Sequence, residues 1–100
     1  MDAMQLPQQD AKRAADFLKS LANPHRLHIL CSLANGEMNV GELMAPSNLS
    51  PSSFSQHLAV LRKQGLIDFR KEAQTLFYSI KDPDTMDVIQ LLKQKFCPDL

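Results

Sequence analysis

Residues 49–80, LSPSSFSQHLAVLRKQGLIDFRKEAQTLFYSI, change period halfway along, and that change decides the fold. Ser50-Pro51 is a helix start, a capping hydroxyl followed by proline at the first helical position, where the missing N–H costs nothing. The apolar residues Phe54, Leu58 and Leu61 then fall four and three apart, which gives the helix one narrow greasy stripe and leaves its other side polar. Gly65 stops it. Beyond the glycine, residues 66–71 and 75–80 are rich in β-branched and aromatic side chains with partial alternation, the pattern of a β-hairpin. Its tip, Lys71-Glu72-Ala73-Gln74, lacks the Asn-Gly of a two-residue turn, which predicts a longer and flexible loop.

Working outward, Asn23-Pro24 and Asp82-Pro83 repeat the cap-proline device. The first predicts a helix through Ala34, stopped by Asn35-Gly36, and the second a helix to about Phe96, ending before Pro98. A further helix is expected over residues 9–21. Asn39-Val40-Gly41-Glu42 has capping-box spacing and opens a short helix to about Ala45, with Pro46-Ser47-Asn48-Leu49 as the turn that follows. The expected architecture is mainly α with a β-hairpin, in the order α-α-α-α-β-β-α. This is a winged helix-turn-helix, one domain over residues 1–100, with the helix-turn-helix at about 39–64 and the wing at about 66–80.

At 100° per residue, Ser52, Ser55, Gln56 and Lys63 lie on the side of the fourth helix away from Phe54 and Leu58, with Ser53 at the edge. Hydroxyls, an amide and free backbone N–H groups at a helix start suit DNA, because glutamine pairs with adenine edges while serines and N–H groups hold phosphates. His57 falls close to the apolar stripe, so a half-buried histidine that orients the helix or reaches one phosphate is the better reading than a base reader. Arg62 at the end of that helix and Arg70, Lys71, Gln74 and Thr75 in the wing are candidate phosphate or minor-groove contacts. A solvated hairpin and a helix-dipole role for Arg62 and Lys63 stand against them.

Charge agrees in distribution though not in total. The chain is formally neutral, yet residues 50–81 hold five basic against two acidic side chains, a net +3 offset by −3 in the flanks. A basic middle suggests one face made for phosphates. With 44% hydrophobic and 22% charged residues the composition is that of a soluble globular protein, and one hundred residues bury only a modest core. Neither an apolar run of membrane-spanning length nor a secretion signal at Met1-Asp2-Ala3-Met4-Gln5-Leu6 is present, so a cytoplasmic protein with no membrane partner is expected. In that compartment Cys31 and Cys97 are expected as reduced thiols.

Cys31 lies in a helix that is apolar over most of its circumference and reads on its own as core. The stripe of the last helix is Val88, Leu91, Leu92 and Phe96, and Cys97 projects away from it, so core packing does not account for that residue. An accessible thiol near a second one would be poised for reversible oxidation, provided the last helix packs on the second. His25, His28 and Cys31 are spaced three apart but spread over roughly 120° of helix surface, with no second thiol or acid nearby in sequence, so no metal is expected. With no Cys-x-x-Cys, nucleophile elbow or glycine-rich phosphate loop, neither an enzyme nor a cofactor is expected.

These residues together resemble the ArsR/SmtB family of bacterial regulators over nearly the whole chain. The matching pieces are Leu21-Ala22-Asn23-Pro24-His25-Arg26-Leu27-His28-Ile29-Leu30, Val40-Gly41-Glu42-Leu43, Leu49-Ser50, Ser55-Gln56-His57-Leu58, Leu61-Arg62 and Gly65-Leu66-Ile67. The wing and the two thiol positions resemble the thiol- and persulfide-responsive branch. The resemblance implies a homodimer built from the first and last helices, about 9–21 and 83–97, with recognition helices in successive major grooves of a near-palindromic double-stranded DNA site. It further implies that Cys31 and Cys97 are joined within a subunit by an oxidant or reactive sulfur species, and that this linkage controls DNA affinity. Metal-sensing members carry Cys-Val-Cys where this chain has Asn39-Val40-Gly41, or histidine ligands along the last helix, which this chain lacks. A metal-responsive repressor and a winged-helix protein-interaction module are the alternatives.

Overall fold

The computed structural model describes residues 6–99. The stretch read against a secretion signal lies outside them apart from Leu6. Five helices and three strands follow in order: α1 (Gln8–Leu21), α2 (Pro24–Leu33), β1 (Met38–Asn39), α3 (Val40–Met44), α4 (Pro51–Lys63), β2 (Ile67–Glu72), β3 (Thr75–Ile80) and α5 (Pro83–Phe96).

The three cap-proline starts form as expected. Asn23 Oδ1 accepts the backbone N–H groups of His25 and Arg26 at 2.9 and 3.2 Å, Ser50 Oγ accepts that of Ser53 at 3.2 Å, and Asp82 Oδ2 accepts that of Thr85 at 3.2 Å. At α3 both halves of the capping box are made, Glu42 N–H to Asn39 Oδ1 at 2.8 Å and Asn39 N–H to Glu42 Oε1 at 3.0 Å. Gly65 terminates α4 at φ +79°, with Leu66 N–H reaching Leu61 carbonyl and Gly65 N–H reaching Arg62 carbonyl. That paired closure needs a left-handed residue, which glycine supplies without steric cost.

Two expectations about the wing are corrected. The tip is not a long loop, because Glu72 pairs with Thr75 across the ladder and only Ala73 and Gln74 connect the strands. Ala73 takes φ +55°, doing the work for which glycine or asparagine is the usual choice. The hairpin is also part of a larger sheet, since Met38 and Asn39 pair with Tyr78 and Phe77 to give the strand order β1-β3-β2. A two-residue strand carries no periodic signal, so sequence pattern could not find it.

The core gathers Leu21 from α1, Ile29, Leu30 and Leu33 from α2, Leu43 from α3, and Phe54, Leu58 and Leu61 from α4. Leu66, Ile67, Tyr78 and Ile89 close it. α2 is central and touches α1, α4, α5 and β3. The stripe expected on α5 is also corrected. Ile89 and Thr85 are fully buried and Val88 and Leu92 half-buried, while Leu91 is 62% and Phe96 70% exposed. The apolar residues of α5 thus serve two faces, one turned to this core and one turned out. Leu18 of α1 is likewise 58% exposed. The outline is correspondingly long, 53 × 32 × 23 Å, with a radius of gyration of 14.9 Å where a compact chain of this length has about 13 Å.

Replacing Ala73 by glycine relieves the left-handed alanine and is expected to stabilise the fold by about 1 kcal/mol, raising Tm by about 5 °C at fixed protein concentration. Asp82→Ala acts in the other direction. It removes the α5 cap and strands the buried Thr85 hydroxyl, which donates to Asp82 Oδ2 at 2.7 Å. A loss of about 2 kcal/mol in a denaturant titration is expected.

Candidate nucleic-acid interface

α4 buries Phe54, Leu58 and Leu61 and leaves Ser52, Ser55, Gln56, Ala59, Val60 and Lys63 exposed. Ser53 is half-buried, and its hydroxyl accepts from Ser50 Oγ at 3.0 Å, so it belongs partly to the cap. Ser52 Oγ lies 3.4 Å from the same Ser50 oxygen. The side chains of Ser55 and Gln56 make no hydrogen bond with the described residues, and they stand free on the presented face. Sequence reasoning found the polar members of this face but not Ala59 and Val60, whose exposure follows from the same 100° rule.

His57 is half-buried and turned toward α2, where its ring lies 5.5 Å from that of His25. Burial, then the neighbouring charges of Arg26 and His25, hold its pKa below the ordinary histidine value. It is a residue of the α2–α4 junction, in line with the expected orienting role.

The arginines expected at phosphates are each engaged with carboxylates. Arg62 Nε meets Asp68 Oδ1 at 3.3 Å and its guanidinium lies 4.2 Å from the Phe69 ring centroid, fastening the end of α4 to β2. The Phe69 backbone N–H, donating at 2.8 Å, and then Arg62 hold the Asp68 carboxyl below the usual range. Arg70 forks onto Glu37, Nε to Oε2 at 2.9 Å and Nη2 to Oε1 at 2.7 Å, and gives Nη1 to Glu72 at 2.6 Å. It also sits over Phe77 at 4.7 Å. Hydrogen bonding to Arg70 lowers the Glu37 pKa, and the guanidinium is held still more firmly charged. This clasp joins the wing to the segment before β1 across 33 residues of sequence, a separation at which no local pattern exists to be read. Lys63, Lys71, Gln74 and Thr75 remain exposed, the last two beside Asn39 and Gly41 in a cleft at the wing tip.

The condition set for the thiols is met in the packing, because α5 lies against α2. Cys31 is half-buried against the core, and Cys97 is exposed at the C-cap of α5, its N–H on Lys93 carbonyl at 2.7 Å. Burial pushes the Cys31 thiol pKa up; Lys93 opposes this, and Cys97 adds to it. Lys93 Nζ also reaches Asn35 Oδ1 at 3.5 Å, tying the end of α5 to the end of α2. His25, His28 and Cys31 do not converge, and no group of three or more His, Cys, Asp or Glu among the described residues is arranged to hold a metal ion. No helix among them is long and apolar enough to cross a membrane.

Comparison with known proteins agrees with this geometry. The sequence profile described as bacterial regulatory protein, arsR family, matches residues 23–68, from the cap of α2 into β2. The transcriptional activator HlyU of Vibrio cholerae is 44% identical over 94 residues, covering 94% of this chain and 87% of that protein. The HTH-type transcriptional regulator YgaV of Escherichia coli is 44% identical, covering 91% and 93%. The structure of reduced HlyU from Vibrio cholerae superposes with a TM-score of 0.84 over 90% of this chain and 95% of that one. With a winged helix-turn-helix fold, a polar recognition helix and whole-length likeness to such regulators, the chain belongs to the arsR family and is a DNA-binding transcriptional regulator of that type.

Proposed function

We propose that the chain works in the cytoplasm as a homodimer. It presents α4 of each subunit to successive major grooves of a near-palindromic operator, and it loses DNA affinity when Cys31 and Cys97 are linked within a subunit. The observation that carries the DNA part is the exposed pair Ser55 and Gln56, without a side-chain hydrogen bond among the described residues, beside Ser52 on a helix fixed by its opposite stripe. Gln56 offers both a donor and an acceptor to an adenine edge, while Ser52, Ser53 and the helix start hold phosphates. Lys63, Lys71, Gln74 and Thr75 follow the backbone on either side. Arg62 and Arg70 act there through Asp68 and through Glu37 and Glu72, setting the pose of α4 and the wing.

Dimerisation is supported by the outward apolar residues Leu18, Leu91 and Phe96 on α1 and α5, together with the elongated outline of one subunit. A single subunit leaves that face to water; a second copy covers it. Two recognition helices then need a separation of about 34–36 Å to meet grooves one turn apart.

The thiol part rests on α5 packing against α2 and on the contrast between an exposed Cys97 and a half-buried Cys31. Cys97 is the accessible sulfur that meets the oxidant, and Cys31 resolves the mixed species. With a small disulfide as oxidant, two cysteine thiols become one bridge and the reagent leaves as two thiols; with an organic trisulfide the same two exchanges at its central sulfur leave that atom in the bridge and again release two thiols. A bridge draws the end of α5 onto α2, and α2 is the helix against which α4 seats. The switch is therefore a change in how the dimer helices sit on the reading heads.

Leu91→Glu with Phe96→Glu is expected to give a folded monomer by sedimentation whose DNA affinity falls by orders of magnitude; a dimer with wild-type affinity contradicts the assembly. Brief iodoacetamide labelling followed by mass spectrometry should modify Cys97 several-fold faster than Cys31. In fluorescence anisotropy the reduced protein should bind its operator roughly 5- to 150-fold more tightly than the polysulfide-treated protein, and Cys31→Ser should abolish the difference. Equal affinity in both states would sink the switch. A response to zinc or nickel in place of the oxidant would make it a metal sensor, and binding without salt dependence would remove the DNA reading.

A further inference from the structure

At the corner where α2 meets α4, no carboxylate among the described residues pairs with Arg26. His57 leans from α4 onto His25, ring centroids 5.5 Å apart and planes tilted by 31°. Beside them Arg26 has its Nε buried without an acceptor. The other arginines hold carboxylates, Arg13 on Asp10, Arg62 on Asp68 and Arg70 on Glu37 and Glu72, whereas Arg26 enters no ion pair among the described residues. The groups that act electrostatically on His57 are Arg26 and His25 from α2, both basic. On α4 itself the nearest charged residues are Arg62 and Lys63, more than a turn further on. The corner also lies at the positive end of the α2 dipole, although the first N–H groups of that helix are already taken by Asn23.

A guanidinium without a carboxylate is left short of acceptors, and its planar fork of donors with two imidazoles in the same corner suits the oxygens of a phosphate. His57 directly follows Gln56 in sequence and sits to one side of the face that α4 presents. With that face in a major groove, the phosphate nearest the corner is one in the DNA backbone at the groove edge.

We propose that Arg26, His25 and His57 form a phosphate site that grips one backbone phosphate per subunit, and that His57 takes up a proton as it does so. The inference rests on the reading of α4 as the recognition helix and adds to it a clamp from α2, a helix whose sequence pattern points mostly to the core. Arg26 and His25 act through charge and hydrogen bonds to phosphate, so they strengthen binding to every sequence and discriminate among none. In the free protein the burial of His57, then the neighbouring Arg26 and His25, disfavour its charged form. An adjoining phosphate favours the charged form, so affinity rises as pH falls.

The test is DNA binding by the reduced full chain, measured by anisotropy on an operator chosen by selection from random sequence and on an unrelated duplex. Affinity is followed between about pH 8 and about pH 6 over a range of salt. Wild type should bind more tightly at the lower pH. Arg26→Gln should weaken both duplexes by roughly tenfold or more and lower the salt slope by about one per subunit. His25→Gln, at an exposed position, should weaken both duplexes by a smaller factor, and His57→Gln should flatten the pH dependence. Thermal melting of each variant separates lost contacts from lost fold, and His25→Gln serves if Arg26→Gln does not fold. Wild-type salt slope and pH profile in the folded variants would overturn the phosphate site and leave the recognition helix standing. Failure of wild type to bind either duplex would remove both. Shifts of the His25 and His57 ring signals with millimolar inorganic phosphate, alongside unchanged DNA affinity in Arg26→Gln, would make the corner a small-anion site and overturn the DNA assignment.

Discussion

The structure depends on one helix being apolar over most of its circumference. α2 buries Ile29, Leu30 and Leu33, half-buries Leu27 and Cys31, and lies against α1, α4, α5 and β3. Burial of three such side chains contributes on the order of 5 to 9 kcal/mol before chain entropy is counted, enough to make this helix the fixed point of a small domain. The recognition helix, the last helix with its terminal thiol, and the central strand of the wing all take their positions from α2. We propose that a displacement of α5 against α2 is felt at α4, which would give Cys31 and Cys97 a mechanical route to that helix.

Around that core the charges divide labour by location. Carboxylate-bound arginines sit where rigidity is needed, at the base of the hairpin and between the wing and the segment before β1. Exposed pairs of this kind contribute little stability singly, but a bidentate fork with a ring beneath it fixes orientation. Gln56 and Ser55 on α4 are left without side-chain partners among the described residues, and these are groups we propose a nucleic acid satisfies.

What the sequence made legible were features with local causes. The cap-proline starts at Asn23, Ser50 and Asp82, the Gly65 stop and the Phe54, Leu58, Leu61 stripe each depend on a few neighbouring residues, and each formed where expected. The exposed serine and glutamine face came from the same periodicity. What was not legible depended on partners far along the chain. Two residues of β1 are a strand only because β3 runs beside them, and Arg70 reads as a free wing cation until Glu37 is brought to it. The stripe assigned to α5 failed for a related reason, since one periodic pattern cannot distinguish a face buried in its own core from a face kept for another surface. The hairpin tip was misjudged because Ala73 accepts a left-handed backbone that its composition does not advertise.

The account's central claim is that two copies of α4 read DNA from one dimer. Hydroxyl-radical footprinting of the reduced protein on a selected operator tests it most directly. The prediction is two protected tracts on one face of the duplex, with centres about one helical turn apart. A single protected tract, or two tracts at a spacing unrelated to the helical repeat, would contradict it.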